Sequence, residues 1–255
     1  MAITIKSERE IELMAEAGKI LERVHNELEK ALHPGMSTKD IDTLGEKIIR
    51  SYGCIPSFLN YNGYPASICV SVNQEVVHGI PDKHRIIHEG DIVSLDAGVI
   101  YKGYHSDAAR THAVGEVSEE AKKLIQVTKE CFFEGIKYAK AGNHLFDISG
   151  AIGRYAEERG YGVVRDLCGH GIGTALHEAP EIPNYEVGRK GIKLRPGMTL
   201  AIEPMINIGT YEVDWLDDDW TVVTVDGSNA AHYENTILIT EDRPIILSQA
   251  EGLEL

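Results

Sequence analysis

Gly35-Met36-Ser37-Thr38-Lys39-Asp40-Ile41 and, 107 positions later, Gly142-Asn143-His144-Leu145-Phe146-Asp147-Ile148 share a glycine, an aspartate and an isoleucine at matched places. Gly53 and Gly160 extend the match at the same offset. Self-similarity at a fixed long period marks a duplicated structural unit. Around each copy the pattern predicts a helix pair. Ser7-Glu8-Arg9-Glu10 has the form of a capping box, and Ile11, Met14, Gly18, Leu21, Val24 and Leu28 follow at steps of three or four, an amphipathic helix ending near Pro34-Gly35. Ser37 to Asp40 opens the second helix, with Ile41, Leu44, Ile48 and Tyr52 on one face and Gly53 as its stop. In the second half, Ser118-Glu119-Glu120 opens a helix through about Tyr138, and Gly142-Asn143 leads into another that ends near Gly160.

Strand-like runs follow each pair. In the first half they are Ser67–Val72, Asp91–Asp96 and His105–Val114; in the second, Thr199–Glu203, Trp220–Val225 and Asn235–Thr240. The expected architecture is one α+β domain spanning 1–255, made of two similar halves, about 1–115 and 116–255, each a helix pair backing a hairpin or small sheet. A site would lie between the halves.

Composition narrows the function. The 255 residues are 43% hydrophobic and 25% charged, an ordinary globular balance. A formal net charge of -15 would repel a phosphate backbone, which argues against nucleic-acid binding by the bulk surface. Cys54, Cys69, Cys131 and Cys168 are scattered, so neither a disulfide framework nor a thiolate zinc site is indicated. No stretch has the roughly 20 apolar residues of a membrane span, and Met1-Ala2-Ile3-Thr4-Ile5-Lys6 runs into charge; a cytoplasmic protein is expected.

Acidic residues sit where apolar ones are expected. Asp96 follows Ile92-Val93-Ser94-Leu95, and Asp107 comes after a turn around Tyr101-Lys102-Gly103; a hairpin centred there would set 96 opposite 107. A lone Asp of this kind more often ends a strand. However, Glu203 in Ile202-Glu203-Pro204-Met205 and Glu234 in Tyr233-Glu234-Asn235 repeat the pattern, with too few Lys or Arg nearby to pair all four. Ionised carboxylates are rarely buried without partners. Gly169-His170-Gly171-Ile172-Gly173 adds an imidazole; read instead as a phosphate loop, it lacks the spacing and acidic residue of a dinucleotide fingerprint. His177, seven residues on, is too far along a helix to share an ion with His170, so the two are expected to do different work. One His with four carboxylates suits Mn, Fe(II) or Co, with Zn possible, and four negative charges balance two divalent ions. Such a pair, roughly 3.5–4 Å apart, lowers the pKa of water and polarises a carbonyl, which is hydrolase chemistry.

The motifs Val76-Val77-His78-Gly79-Ile80-Pro81, Ser94-Leu95-Asp96-Ala97-Gly98, Tyr104-His105-Ser106-Asp107, Gly169-His170-Gly171-Ile172-Gly173, Leu176-His177-Glu178, Ile202-Glu203-Pro204-Met205 and Tyr233-Glu234-Asn235-Thr236 resemble, in order and spacing, those of the type I methionine aminopeptidases. The resemblance covers nearly the whole chain. It implies a pita-bread fold of two pseudo-symmetric αβ halves and removal of the initiator methionine from nascent proteins by two-metal-assisted amide hydrolysis. It also implies that Asp96, Asp107, His170, Glu203 and Glu234 are the metal ligands, with Asp107 and Glu234 bridging. His177 would contact the scissile amide or the tetrahedral intermediate, His78 the substrate backbone, and Glu203 would shuttle the proton to the leaving amine. The methionine pocket maps onto Phe58, Tyr61, Tyr64, Cys69, Leu176 and Trp220, where a thioether finds attractive ring contacts. Leu176 stands where many bacterial relatives carry an aromatic, and Asn62 where His or Lys is common; both bear on tolerance for the second residue.

The alternatives are a proline-specific peptidase of the same fold and a binding module that has lost its metals. The former usually carries an extra N-terminal domain, whereas here the first helix opens at Ser7; the latter would have replaced a ligand. Only thirty residues separate Glu203 from Glu234, which leaves no room for the long insertion of the type II enzymes. The expected substrates are chains beginning with Met and a small residue. A monomer is expected, ribosome contact is compatible with this role, and neither nucleic-acid specificity nor a membrane partner is.

Overall fold

A computed structural model describes residues 3–249; Met1-Ala2 and residues 250–255, the ends of the expected 1–255 domain, lie outside the described residues. The four predicted helices form: α1 (Glu8–Ala31), α2 (Thr38–Ser51), α3 (Glu119–Ile136) and α4 (Leu145–Glu157). Their starts are fixed locally. Ser7 N donates to Glu10 Oε2 at 2.7 Å, Ser37 N to Asp40 Oδ2 at 2.9 Å and His144 N to Asp147 Oδ2 at 2.8 Å, each satisfying a backbone donor that the first turn leaves without a partner.

Among the described residues the helices back a nine-stranded antiparallel sheet. Strands Ile55–Pro56 and Ile68–Val72 pair along one side of Ile92–Tyr101; next come Tyr104–Ala113, Glu234–Leu238, Thr199–Ile202, Gly169–Gly171 and Glu178–Ile182. Ile245–Ile246 pairs with Glu234–Leu238. The two halves thus meet where Ala108 and Ala109 pair with Asn235 and Glu234. The expected strand in Trp220–Val225 shortens to Val222–Thr224 and leaves the main sheet, joining Val213–Trp215 and Glu75–Val77 in a small one.

Alternation along the strands sorts residues between two faces. Val93, Leu95, Ala97 and Val99 join Leu21, Val24 and Leu28 of α1 and Ile41 and Ile48 of α2 in one core, while Leu200, Ile202 and Ile237 join Leu124 and Phe132 of α3 and Ile148 and Ile152 of α4 in the other. The residues between them in sequence, Asp96 and Ala201 among them, point to the helix-free face.

The duplication extends into tertiary contacts. Gly35 and Gly142 take φ of +96° and +90°, Gly53 and Gly160 +70° and +83°, and the bridge Ser37↔Ile86 recurs as His144↔Lys193 at the same offset. Gly18 has no counterpart of this kind. It lets the segment after Ile245–Ile246 cross α1 so closely that a Cβ would lie 1.8 Å from the carbonyl oxygen of Leu247. Because that neighbour is backbone, Gly18→Ala is expected to destabilise the protein by about 1–3 kcal/mol, the usual cost of overpacking. By scanning calorimetry that is a midpoint lower by roughly 2–10 °C; an unchanged midpoint would mean that the crossing segment yields freely.

Candidate metal centre and substrate cleft

The five predicted ligands come together on the helix-free face. Asp96 does not stand opposite Asp107: the pairs are Asp96↔Ala109 and Gly98↔Asp107. The expected hairpin was misplaced because the turn has only two residues, Lys102 and Gly103, with φ of +50° and +87°, the left-handed pair that suits the twist of a tight hairpin. A shift of two keeps both carboxylates on one face as diagonal neighbours. Across the sheet a single row reads Cys69, Asp96, Ala109, Glu234, so the small Ala109 separates two carboxylates contributed by different halves. Glu203 falls one step beyond the pair Asn235↔Ile202, beside Glu234, and His170 pairs with Ala201 on the same face.

Asp107, His170 and Glu234 each offer a ligand atom within 4.8 Å of the others, all buried. His170 Nε2 lies 3.5 Å from Glu203 Oε1 and 3.9 Å from Asp107 Oδ2. Burial pushes the His170 imidazole down to about 3, with nearby His177 adding to the effect, so the ring is neutral and its lone pair is available. The carboxylates move the other way. Burial, then mutual repulsion, raises Asp96, Glu203 and Glu234 well above the ordinary carboxylate range, and burial raises Asp107 to about 8. Asp96 Oδ1, Asp107 Oδ1 and Glu234 Oε1 are buried without a hydrogen-bond partner among the described residues. Arg110 lies on the opposite, helix-covered face of its strand, paired with Leu95, and donates to the carbonyl oxygens of Ala109 and Glu234 and, at 2.6 Å, to Asn235 Oδ1. The donor set therefore fits divalent cations: hard oxygens with negative charge to match, unpaired, plus one neutral imidazole.

A cleft of about 180 Å³ opens beside this cluster. Phe58, Tyr61, Tyr64, Cys69, Leu176 and Trp220 line it together with His78, His177 and Asn62. Tyr64 meets Trp220 edge-on at 5.1 Å, and its hydroxyl donates to Gly79 O at 2.9 Å, so the phenol is locked as a wall. His78 holds a left-handed φ of +60°, a conformation that non-glycine residues keep mainly where the surroundings enforce it, with its ring 6.2 Å from Trp220. Burial lowers His78 to about 4, with His177 contributing. The separation of His170 and His177 was misjudged: neither lies on a helix, the chain turns back between them, and their rings are 4.2 Å apart. His177 Nδ1 and the Tyr61 hydroxyl are 2.7 Å apart, which orients the second imidazole toward the cleft.

Several contributors were not read from the sequence. His232, whose Nε2 is 3.8 Å from Glu203 Oε2, and Arg110 belong to no motif quoted above. The 107-residue offset also carries Asp96 onto Glu203 and Gly90 onto Gly197, both glycines with positive φ, so the repeat held a clue that each half contributes an acidic residue at the matched place.

Residues 12–241 match the model of metallopeptidase family M24. The methionine aminopeptidase of Clostridium acetobutylicum is 58% identical over 249 residues, covering 98% of this chain and all of that protein. Among solved structures, methionine aminopeptidase from Thermotoga maritima superposes with a TM-score of 0.95 at 47% identity, covering 97% of this chain and all of that one. An Xaa-Pro dipeptidase from Bacillus anthracis superposes less closely, with a TM-score of 0.78 at 27% identity, and this chain covers only 62% of it.

Proposed function

This chain belongs to metallopeptidase family M24, and from that membership we propose how its residues carry out the reaction. Its activity is that of a metal-dependent aminopeptidase that releases N-terminal methionine from polypeptides, on the strength of 58% identity along the full length of a methionine aminopeptidase. The observation that carries the site assignment is the set of buried, unpartnered carboxylate oxygens beside a neutral imidazole. Asp96, Asp107, His170, Glu203 and Glu234 would hold two divalent ions, Mn, Fe(II), Co or Zn. When bound, the ions supply Lewis acidity and lower the pKa of water.

The remaining steps belong to the chain. Phe58, Tyr61, Tyr64, Cys69, Leu176 and Trp220 take the methionine side chain and exclude water around it. His78 orients the substrate backbone. Held by Tyr61, His177 donates to the oxygen on which negative charge develops. Glu203 takes the proton from the attacking water and delivers it to the leaving amine. The physiological substrates are nascent chains beginning with Met and a small residue, met in the cytoplasm near the ribosome by a monomeric, single-domain enzyme. Among the described residues no helix is long and apolar enough to cross a membrane.

The test is release of free methionine from Met-Ala-Ser and Met-Phe-Ser by metal-stripped protein with each metal added back. Metal-dependent release from Met-Ala-Ser with little from Met-Phe-Ser is expected. No release with any metal would end the proposal, and preference for Xaa-Pro peptides would move the chain to the proline-specific branch.

A further inference from the structure

The N-terminal segment crosses beneath a turn that forms part of the cleft wall. Lys6 donates its backbone N–H to Gly197 O at 2.8 Å, and its side chain turns inward until only 5% of it is exposed. There Nζ lies 2.7 Å from Glu178 Oε2, which also accepts from Thr4 Oγ1 at 2.7 Å. The other carboxylate oxygen, Oε1, accepts the backbone N–H of Ala175 at 3.3 Å. Gly173 N donates to Ala175 O at 3.1 Å, while Gly173 O accepts from His105 N at 2.8 Å, tying the turn to the Tyr104–Ala113 strand. A Cβ on Gly173 would fall 2.5 Å from both Lys6 Cε and Glu178 Oε1, so the ion pair fills the space under the turn.

Leu176 and His177 sit between the two anchored residues, Ala175 and Glu178. An exposed lysine–glutamate pair would hold such a turn weakly. This pair is largely out of water and has its remaining acceptors occupied, so removing one partner leaves a buried charge uncompensated and the turn free to move.

We propose that Lys6 is a positioning residue for the peptidase reaction: by clamping Glu178 it fixes the turn that presents Leu176 and His177 to the substrate. The proposal rests on the reading above of those two residues as parts of the substrate site. Lys6 itself does not touch substrate. Misplacing His177 withdraws an interaction made mainly in the transition state, so kcat carries the loss more than KM.

The experiment measures kcat and KM on Met-Ala-Ser for metal-loaded Lys6→Met, Lys6→Arg, Glu178→Gln, His177→Ala and the Lys6→Met/His177→Ala double variant. Lys6→Met is expected to lower kcat by roughly 10–100-fold, with metal affinity by isothermal titration unchanged, and Lys6→Arg to recover most of it. In the His177→Ala background the same Lys6 change should lower kcat by less than about twofold, since its target is gone. Equal losses in both backgrounds, or Lys6→Met that lowers only the thermal midpoint, would overturn the proposal. Should Lys6→Met not fold, Glu178→Gln, which keeps shape and the Ala175 acceptor, is combined with His177→Ala in the same comparison. Full kcat in His177→Ala alone would overturn the reading of His177 and the proposal with it, whereas additive losses on an impaired His177→Ala enzyme overturn the proposal alone.

Discussion

Glu203→Ala is expected to lower kcat on Met-Ala-Ser by roughly 10²–10⁴-fold, the range over which a positioned acid–base group acts. Glu203 follows the Thr199–Ile202 strand directly, so strand pairing with Glu234–Leu238 sets its place rather than a flexible loop. Its carboxylate reaches toward His170 at 3.5 Å and His232 at 3.8 Å, at the wall of the cleft in which the substrate would lie. On the proposed roles, alanine removes both a metal ligand and the proton carrier. Glu203→Gln separates the two: it keeps the shape and one oxygen but cannot shuttle a proton. If the glutamine enzyme binds metal with reduced affinity yet turns over at the wild-type rate once saturated, the shuttle role is wrong and Glu203 is a ligand only.

The second large effect is on stability, and metal reverses it. In metal-stripped protein Asp96, Asp107, Glu203 and Glu234 all titrate above the ordinary carboxylate range, Asp107 at about 8. A carboxyl with a raised folded-state value contributes stability that is complete below its unfolded value, about 4, and is lost as pH rises through the folded one. The buried histidines act in the opposite sense: His170 at about 3, His232 at about 3 and His78 at about 4 bind fewer protons folded than unfolded, so stability rises with pH up to about 6.5. Above that value the carboxylates act without this opposition, and the midpoint of the stripped protein is expected to fall between pH 7 and 8.5. A divalent ion displaces the protons, so Mn(II) should raise the midpoint more at pH 8.5 than at pH 6. At free metal near 100 times Kd the gain is about 2.7 kcal/mol, or roughly 5–10 °C for a chain of this size. A stripped protein whose midpoint is flat or rising across pH 7–8.5 would show that the carboxylates are ionised and held by other means.

The four carboxylates that gather on the helix-free face were legible in the sequence for a reason that limits what else could be read, while the lining of the cleft was expected only from the family resemblance. Asp96, Asp107, Glu203 and Glu234 betray themselves because a charged residue in an apolar, strand-like run conflicts with burial unless something compensates it. Arg110 gave no such signal. An arginine looks ordinary until its donors are seen to reach Ala109 O, Glu234 O and Asn235 Oδ1 where the halves join. Lys6 and Glu178 are 172 residues apart, and neither stands out alone.

By itself the sequence determined the four helices, the capped starts of the first three, the duplicated plan and the apolar strand-like runs that carry the acidic residues, since caps and periodicities depend on neighbours within a few positions. Tertiary structure alone decided register and meeting points: Asp96 opposite Ala109, Glu234 across from Ala109 at the junction, and His177 folded back onto His170. Those contacts join segments far apart in the chain. Their alignment depends on turn geometry and on which packing buries both cores at once, quantities that no local stretch encodes.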